Sequence, residues 1–346
     1  MFSRRRILLM PGQARIKDPD KTGSFYTLGH NIKYVTRLIA LFTCVGLVLA
    51  VCDPLGRDPA SCVRPIGGRN ILPFTSPMQP KDMALSPDGS KLAMTYAAPL
   101  WPDFGLFDLR SGTYRAWPPS DMIPRGLEGQ TGGFAGLAWD ARGDRVYAMN
   151  DGIINTLAID RPAERIPAPC KYCGSFDLSP SGALAIAGSL DEQPISGRRV
   201  YALRSIADPT IVWSHPMEAA YDLAWSPDGR KLAVSEVFRN ARGEAVGLYR
   251  VFSHPSGTEY PAHIEVGSYR RPVWYNNEEL AIPDTPTNRL LRWNPTNGMS
   301  STIATIGPEC KIPGGLIGAM TREDSQWIVL EGHYGVFVVD RSCVRP

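Results

Sequence analysis

Hydrophobic and polar residues alternate on both sides of a short turn in residues 221–236, which read YDLAWSPDGRKLAVSE. Alternation with a period of two is typical of a half-buried β-strand, so this stretch predicts two strands joined by a tight turn. The Ser-Pro-Asp-Gly between them suits such a turn: Pro227 presets its backbone φ angle, Asp228 tolerates the next position and Gly229 tolerates a positive φ. The stretch is therefore predicted to be a β-hairpin.

The hairpin pattern recurs along the chain at intervals of roughly 40 to 50 residues, a period typical of repeat architectures. Its six copies are residues 83–96, 137–149, 176–188, 221–236, 273–284 and 319–331. A second alternating pair with a Gly-containing turn follows some copies, as in residues 104–117, 247–264 and 289–304. Four strands per repeat predict an all-β fold, a six-bladed β-propeller over residues 71–346.

The composition agrees with many short strands rather than long helices. The chain has 346 residues, with 33 Gly and 31 Pro, and hydrophobic residues make up 43% of it. Pro and Gly mark turns and are unfavourable inside regular elements. The hydrophobic fraction is ordinary for a globular protein with a real core.

The sixth repeat lacks room for a fourth strand, because the chain ends soon after the strand predicted near residues 335–340. An open blade would expose an unpaired strand edge, which natural proteins avoid. Residues 62–74 precede the first repeat and are predicted to supply the missing strand. This pairing would bring Cys62 near Cys343, each within an identical Ser-Cys-Val-Arg-Pro segment. It predicts a disulfide bond that closes the ring.

The N-terminal segment differs from the rest of the chain. Residues 1–37 carry eight Lys or Arg and two Asp, and residues 38–52 are apolar. A basic segment before an apolar one predicts a cytoplasmic N-terminus and export of the rest of the chain. A cleaved signal, a retained anchor and lipidation at Cys52 are all open, although Val51 departs from the lipobox that residues 49–52 resemble. Residues 53–70, rich in Pro, Gly and Arg, are predicted to be a linker.

The net charge of +3 comes from this N-terminal segment, so the propeller region is close to neutral. A surface of that kind argues against nucleic-acid binding, which usually needs a strongly basic patch. We therefore expect a protein partner, with the membrane reached only through the N-terminal segment.

Cys170 and Cys173 form a Cys-x-x-Cys segment. A local disulfide bond is its expected role in an oxidising compartment. Redox activity and a zinc site that includes Cys310 are the alternatives. The chain has no second Cys-x-x-Cys for a cysteine-rich zinc site, and no His follows Cys173 for haem attachment.

The turn and its flanks read LSPDGSKLA at residues 85–93 and WSPDGRKLA at residues 225–233. They resemble the repeat of TolB-type propellers, which are WD-repeat-like. Residues 178–185 match this repeat fairly well, and the remaining three repeats match it weakly. The resemblance runs from about residue 71 to the end and implies a six-bladed propeller in the periplasm. The chain lacks the α/β domain that precedes the propeller of TolB, so membership of the Tol-Pal system is not implied. The Gly-x-Ser-x-Gly segment of serine peptidases with related propellers is also missing.

No catalytic constellation is evident in the sequence. Asp88 and Asp228 are better explained as turn residues than as catalytic acids or metal ligands. The His residues of the propeller region lack metal-binding spacing; they are His215, His254, His263 and His333. We therefore expect no catalytic residue, metal or cofactor, although ligands from separate blades can meet in a propeller channel.

The loops opposite the Ser-Pro-Asp-Gly turns are irregular and contain aromatic residues and Arg, which are enriched at protein interfaces. The candidate partner-binding residues on that face are Trp101, Arg125, Tyr172, Arg199, Arg239, Arg242, Arg270, Arg271 and Tyr334. We expect a non-catalytic, protein-binding propeller that serves as scaffold or accessory subunit of an envelope complex. The alternatives are a hydrolase or lyase with a metal in the central channel, and an envelope immunity or secretion-associated protein.

Overall fold

The structure, a computed structural model, describes twelve stretches of the chain. They are residues 63–65, 80–96, 104–116, 136–150, 153–158, 164–168, 172–189, 198–217, 220–267, 270–305, 316–332 and 335–343. The described residues all belong to one compact unit of the chain, Leu47–Pro346. The predicted N-terminal segments 1–37 and 38–52, with Cys52, lie outside the described residues. Within the described stretches, no helix has the length and apolar character needed to cross a bilayer.

The described residues form six antiparallel sheets of four strands each. Blade 1 contains β2 (Pro80–Leu85), β3 (Lys91–Tyr96), β4 (Phe104–Asp108) and β5 (Tyr114–Ala116). Blade 2 contains β6 (Gly136–Trp139), β7 (Arg145–Asn150), β8 (Ile153–Ala158) and β9 (Glu164–Pro167). Blade 3 contains β10 (Tyr172–Leu178), β11 (Leu184–Ser189), β12 (Arg198–Leu203) and β13 (Ile211–Met217).

The second half of the chain repeats this arrangement. Blade 4 contains β14 (Ala220–Trp225), β15 (Lys231–Arg239), β16 (Ala245–Ser253) and β17 (Ile264–Val266). Blade 5 contains β18 (Val273–Trp274), β19 (Leu280–Asp284), β20 (Arg289–Trp293) and β21 (Ser300–Thr305). Blade 6 combines β22 (Leu316–Met320), β23 (Trp327–Gly332) and β24 (Gly335–Asp340) with β1 (Val63–Pro65). Two short 3-10 turns, Thr285–Thr287 and Arg341–Cys343, complete the described elements. The predicted all-β, six-bladed propeller is confirmed.

The hairpins of the first and fourth repeats owe their turns to local chemistry. In the fourth repeat, Gly229 has a φ of +69° and its N–H donates to the Ser226 carbonyl at 2.9 Å. Asp228 Oδ1 accepts from Ser226 Oγ at 2.7 Å and from the Arg230 N–H at 3.1 Å. Asp88 makes the same contacts in the first repeat, with Ser86 and Ser90. Both aspartates are therefore turn residues, as predicted.

The ring is closed by the strand that precedes the first repeat. Val63 of β1 pairs with Val339 of β24, and Pro65 pairs with Phe337. This antiparallel pairing covers the edge that the last blade would otherwise expose, as predicted from residues 62–74. Cys62 and the side chain of Cys343 lie outside the described part, so the closing disulfide stays a prediction.

Neighbouring blades are joined by apolar packing and by tryptophan hydrogen bonds. Trp139 of blade 2 donates from Nε1 to the Ala84 carbonyl of blade 1 at 2.9 Å. Trp274 of blade 5 donates in the same way to the Ala224 carbonyl of blade 4, also at 2.9 Å. Buried aliphatic side chains pack across the junction between blades 6 and 1, in a cluster that includes Met83 and Met320. Each buried side chain of this size contributes about 1.5–3 kcal/mol, so the junctions hold the blades as one body.

Candidate functional site

A cavity of about 320 Å³ opens at the centre of the blades, at the end that carries the Ser-Pro-Asp-Gly turns. Its walls include three tryptophans, Trp139, Trp225 and Trp274, and three turn prolines, Pro87, Pro180 and Pro227. Every blade contributes, because the inner strands of all six blades and the turns of blades 1, 2, 3, 4 and 6 reach the cavity. The volume lies at the lower end of the range for ligand pockets, roughly 300–1,000 Å³.

Arg271, two residues before β18, connects several blades at the centre of the propeller. The residue is 9% exposed. Its Nη2 lies 3.0 Å from Asp177 Oδ1, and its Nη1 lies 3.5 Å from Asp82 Oδ2. Nη1 also donates to the Leu137 carbonyl. One guanidinium thus connects blade 5 with blades 1, 2 and 3.

The acids around Arg271 are also bonded to main-chain groups of the neighbouring blade. Asp82 Oδ2 accepts from the Leu137 N–H at 2.7 Å, and Asp177 Oδ2 accepts from the Trp225 N–H at 2.7 Å. A third acid, Asp222, accepts from Ser175 Oγ. Asp82, Asp177, Asp222 and Arg271, here called the central ion cluster, therefore cross-link five of the six blades.

Burial shifts the pKa of two acids of the central ion cluster, Asp82 and Asp177. It raises the pKa of Asp82 to about 7, and the nearby Asp222 carboxylate adds to the rise while Arg271 opposes it. Burial also raises the pKa of Asp177, again against the effect of Arg271. Perturbed acids in a channel often mark a functional site, but structural ion-pair networks shift pKa values as well. Because every acid here is bonded to a neighbouring blade, the central ion cluster is explained by structure.

Arg322 lines the cavity from blade 6 and differs from Arg271 in its contacts. It occupies the turn position that Pro87, Pro180 and Pro227 occupy in other repeats. Its Nε is buried and has no hydrogen-bond partner among the described residues. Burial lowers the pKa of the guanidinium, partly offset by the more distant carboxylates of Asp177, Asp324 and Asp88. The cavity therefore contains a guanidinium whose buried Nε has no hydrogen-bond partner in the described part of the chain.

A second buried ion pair lies beside the inner strand of blade 6. Arg270 Nη2 contacts Glu331 Oε1 at 2.8 Å, and the Glu331 side chain is only 4% exposed. Burial raises the pKa of Glu331 to about 7, although Arg270 acts in the opposite direction. This carboxyl is therefore expected to change protonation near neutral pH.

The predicted partner-binding residues differ in the exposure of their side chains. Arg239 and Arg242 are exposed, as expected, near the turn after β15. Arg199 is half-buried and donates to Ser214 Oγ at 3.0 Å. The expected exposure of Arg270 and Arg271 is wrong, because both side chains turn inward to compensate buried carboxylates.

The other residues expected on this face are placed less fully. Tyr172 begins β10, and its side chain is outside the described part. Trp101, Arg125 and Tyr334 lie entirely outside it.

The cysteines and histidines contribute little to the described site. Cys173 is disulfide-bonded, but its partner lies outside the described residues, as does Cys170, so their mutual pairing stays a prediction. His254 Nδ1 accepts from Trp213 Nε1 at 3.3 Å and its ring packs edge-on against Trp225. In the described stretches, no group of three or more His, Cys, Asp or Glu is arranged to hold a metal ion.

Sequence reasoning missed the cavity, the central ion cluster and Arg322. Asp82 and Asp222 could have been noticed, because each places a carboxylate in an apolar inner strand at the same distance before its turn. Arg322 could have been noticed as the residue that replaces a turn proline. No comparable feature of the sequence indicates that the Arg271 side chain turns inward, because Arg271 precedes a very short strand in the weakly matching fifth repeat.

No family model and no curated protein matches the chain. Among solved structures, the β-propeller domain of Cps50 (Swd1) from Myceliophteria thermophila has a TM-score of 0.49 at 11% identity, over 76% of this chain and 97% of that one. Kuenenia stuttgartiensis hydrazine synthase has a TM-score of 0.48 at 12% identity, over 80% and 99%. U3-55K has a TM-score of 0.49 at 10% identity, over 81% and 99%. Similarities at this level carry no functional argument, and the propeller fold rests on the sheet topology. The TolB-type family stays a resemblance of the turn sequences.

Proposed function

We propose that the protein is a non-catalytic binding propeller, exported to the periplasm, whose cavity at the Ser-Pro-Asp-Gly end receives part of a protein partner. The observation that carries this proposal is the cavity itself, which all six blades build and three tryptophans line. Concave sites with apolar walls and a few polar groups are the usual form of binding sites. Aromatic residues and Arg are also the side chains that most often dominate binding energy at protein interfaces.

The polar groups of the described lining favour binding over catalysis. Asp177 is bonded to Arg271 and to the Trp225 N–H. Asp140 Oδ1 accepts from the backbone N–H groups of Asp144 and Arg145 at 2.8 and 3.2 Å. A general base needs an oxygen or nitrogen free to accept a substrate proton. Both oxygens of Asp177 and Oδ1 of Asp140 are instead bonded within the fold, which leaves the apolar walls and Arg322 to face a partner.

Site-specific photo-crosslinking in intact cells tests the proposed surface. A photoreactive residue replaces Ala141, which is exposed and lines the cavity, or Arg242, which represents the opposite loop face. The matched control is Asn297, an exposed residue of the outer turn of blade 5. We expect a discrete protein adduct from position 141 and none from 297. Adducts only from position 242 would move the binding surface to the loop face, and no adduct from 141 would refute the proposal.

The proposed compartment rests on the basic segment 1–37 and the apolar segment 38–52. Fusion of alkaline phosphatase to the C terminus of the full chain provides the test, since that enzyme is active only after export. We expect activity from the intact fusion and loss of activity when residues 38–52 carry two added Arg. An inactive intact fusion that accumulates in the cytoplasm would refute export without affecting the assignment of the binding surface.

A further inference from the structure

Arg322 carries a buried donor, Nε, that no described residue satisfies. Its backbone carbonyl is used, accepting from the Ser325 N–H at 3.1 Å and from Arg341 Nη1 at 3.3 Å. Its side chain forms no ion pair with a described residue, and Nε is buried without a partner there. Leaving a charged donor unsatisfied and partly removed from water is unfavourable. Such an arrangement is expected where a ligand supplies the missing acceptor.

Three carboxylates act on the Arg322 guanidinium, those of Asp177, Asp324 and Asp88, but none of them forms an ion pair with it. Asp177 uses one oxygen for Arg271 and the other for the Trp225 N–H. Asp88 is bonded to Ser86 and Ser90 of its own turn, and Asp324 is exposed to water. A rotation of Asp177 or Asp88 toward Arg322 would break these bonds, and Asp324 would have to give up its hydration. The acceptor that satisfies Arg322 is therefore expected from outside the described chain.

We propose that the cavity binds a monocarboxylate with a short apolar or aromatic body, and that Arg322 is its counter-ion. This inference rests on the proposed function of the cavity as a binding site and names the chemistry that it recognises. A guanidinium matches a planar carboxylate through two parallel hydrogen bonds. The walls of Trp139, Trp225 and Trp274 suit an apolar body, and the single unpaired cation of the described lining suits a single negative charge. The volume of about 320 Å³ accommodates one such group, either a free acid or the carboxylate of a peptide residue.

The test uses the purified full chain and defined probes. Phenylacetate is titrated against the protein and compared with phenylacetamide, which has the same body without the charge. Tryptophan fluorescence reports occupancy, because three tryptophans line the cavity. An acetylated Gly-Gly-Phe peptide with a free carboxylate, its amidated form and inorganic phosphate complete the set. We expect saturable binding of the acids, with at least about tenfold weaker binding of the matching amides, the loss typical of a charge-assisted hydrogen bond.

Substitutions at Arg322 separate ligand binding from a structural role. Arg322→Gln is expected to weaken binding of the acids by about tenfold or more, while Arg322→Lys retains part of the affinity. Arg110→Gln, which removes an exposed Arg from the turn between β4 and β5, is expected to bind as the unaltered protein does. Since the Arg322 side chain forms no ion pair in the ligand-free protein, Arg322→Gln should not lower the melting temperature of that form. A purely structural Arg322 would instead give a lower melting temperature and unchanged affinity.

Each outcome decides between sources or overturns the inference. Binding of phenylacetate favours a free acid, and binding of the peptide acid alone favours a peptide carboxylate. Tighter binding of phosphate than of either acid, or equal binding of acids and amides, would overturn the proposal. Absence of saturable binding by every acid would also overturn it, even if the Arg322 variants fail to fold. In either case, a crosslinked adduct at position 141 would leave the proposed function standing.

Discussion

Removal of the Arg271 guanidinium is the most direct test of the central ion cluster. Arg271→Met keeps much of the side-chain length but leaves Asp82 and Asp177 buried without their counter-ion. It also removes the donor to the Leu137 carbonyl. Breaking a buried ion pair by removing one partner costs about 3–5 kcal/mol, because the remaining charge is uncompensated. We expect a loss of this size in the free energy of unfolding at pH 8.

The loss should depend on pH in a defined direction. At pH 8 the carboxyl of Asp82, whose pKa is about 7, is mostly ionised and depends on Arg271. Without Arg271 the pKa values of Asp82 and Asp177 should rise further, since the guanidinium opposes the effect of burial on both. At pH 5 the carboxyls can then take up protons instead of remaining as buried charges. The destabilisation by Arg271→Met should therefore be smaller at pH 5 than at pH 8.

Equilibrium unfolding in urea, followed by tryptophan fluorescence at both pH values, measures these losses. Arg242→Met is the matched control, because Arg242 is exposed and its substitution should change the free energy of unfolding by no more than about 0.5 kcal/mol. Adding Asp177→Asn to Arg271→Met should recover part of the lost stability, since one uncompensated carboxylate is removed. A loss at pH 8 no larger than that of the control, or an equal loss at both pH values, would refute this account of the cluster.

Three further predictions concern other parts of the fold. Glu331 has a folded-state pKa of about 7 against an ordinary 4.5, so its contribution to stability is present below pH 4.5 and is lost as pH rises through 7. Glu331→Gln should therefore reduce the loss of unfolding free energy between pH 5 and pH 8 by up to about 3 kcal/mol, seen as a flatter decline in melting temperature. An unchanged decline would contradict this. Gly89→Ala places a methyl group 3.2 Å from Ser325 at a φ of +66°, whereas Gly243→Ala has a φ of +77° and no neighbour within 4 Å. Both substitutions should lower the free energy of unfolding by about 1–2 kcal/mol through backbone strain, with the larger loss at position 89 in thermal unfolding. Equal losses would show that Ser325 moves aside. Replacing Val63–Pro65 by Gly-Ser-Gly should lower the melting temperature and promote association in size-exclusion chromatography, because the edge of β24 becomes unpaired; a monomer of unchanged stability would exclude closure by this strand.

The fold could be predicted from sequence because its information is local and repeated. Each Ser-Pro-Asp-Gly turn fixes its own hairpin through Gly φ angles and Asp–backbone bonds, as at Asp228 and Gly229. Six copies then require a closed arrangement, and the short last repeat requires a strand from elsewhere, which β1 supplies. Even the degenerate fifth and sixth repeats form regular blades, because neighbouring blades impose the register that their turns no longer specify.

The candidate site could not be predicted in the same way, because it is assembled from positions distant in sequence. Arg271 satisfies acids from blades 1 and 3, and nothing near it in the sequence indicates which way its side chain turns. The turn residues were expected to be scaffold only, yet Pro87, Pro180 and Pro227 also line the cavity. The repeat pattern predicts that the turns lie at one end of the propeller, but it does not show that their inner surfaces meet around a common axis.

The pairing of β1 with β24 also has a consequence for how the protein is made. Val63 leaves the ribosome about 280 residues before Val339, its partner in the sheet. At typical elongation rates of about 5–20 residues per second, β1 waits for tens of seconds without that partner. Blades 1 to 5 contain all their strands in consecutive order, whereas blade 6 can be completed only after the C-terminal strand has emerged. Contacts so distant in sequence also make closure slow, so a nascent chain is vulnerable to chaperone capture or proteolysis until its first strand meets its last.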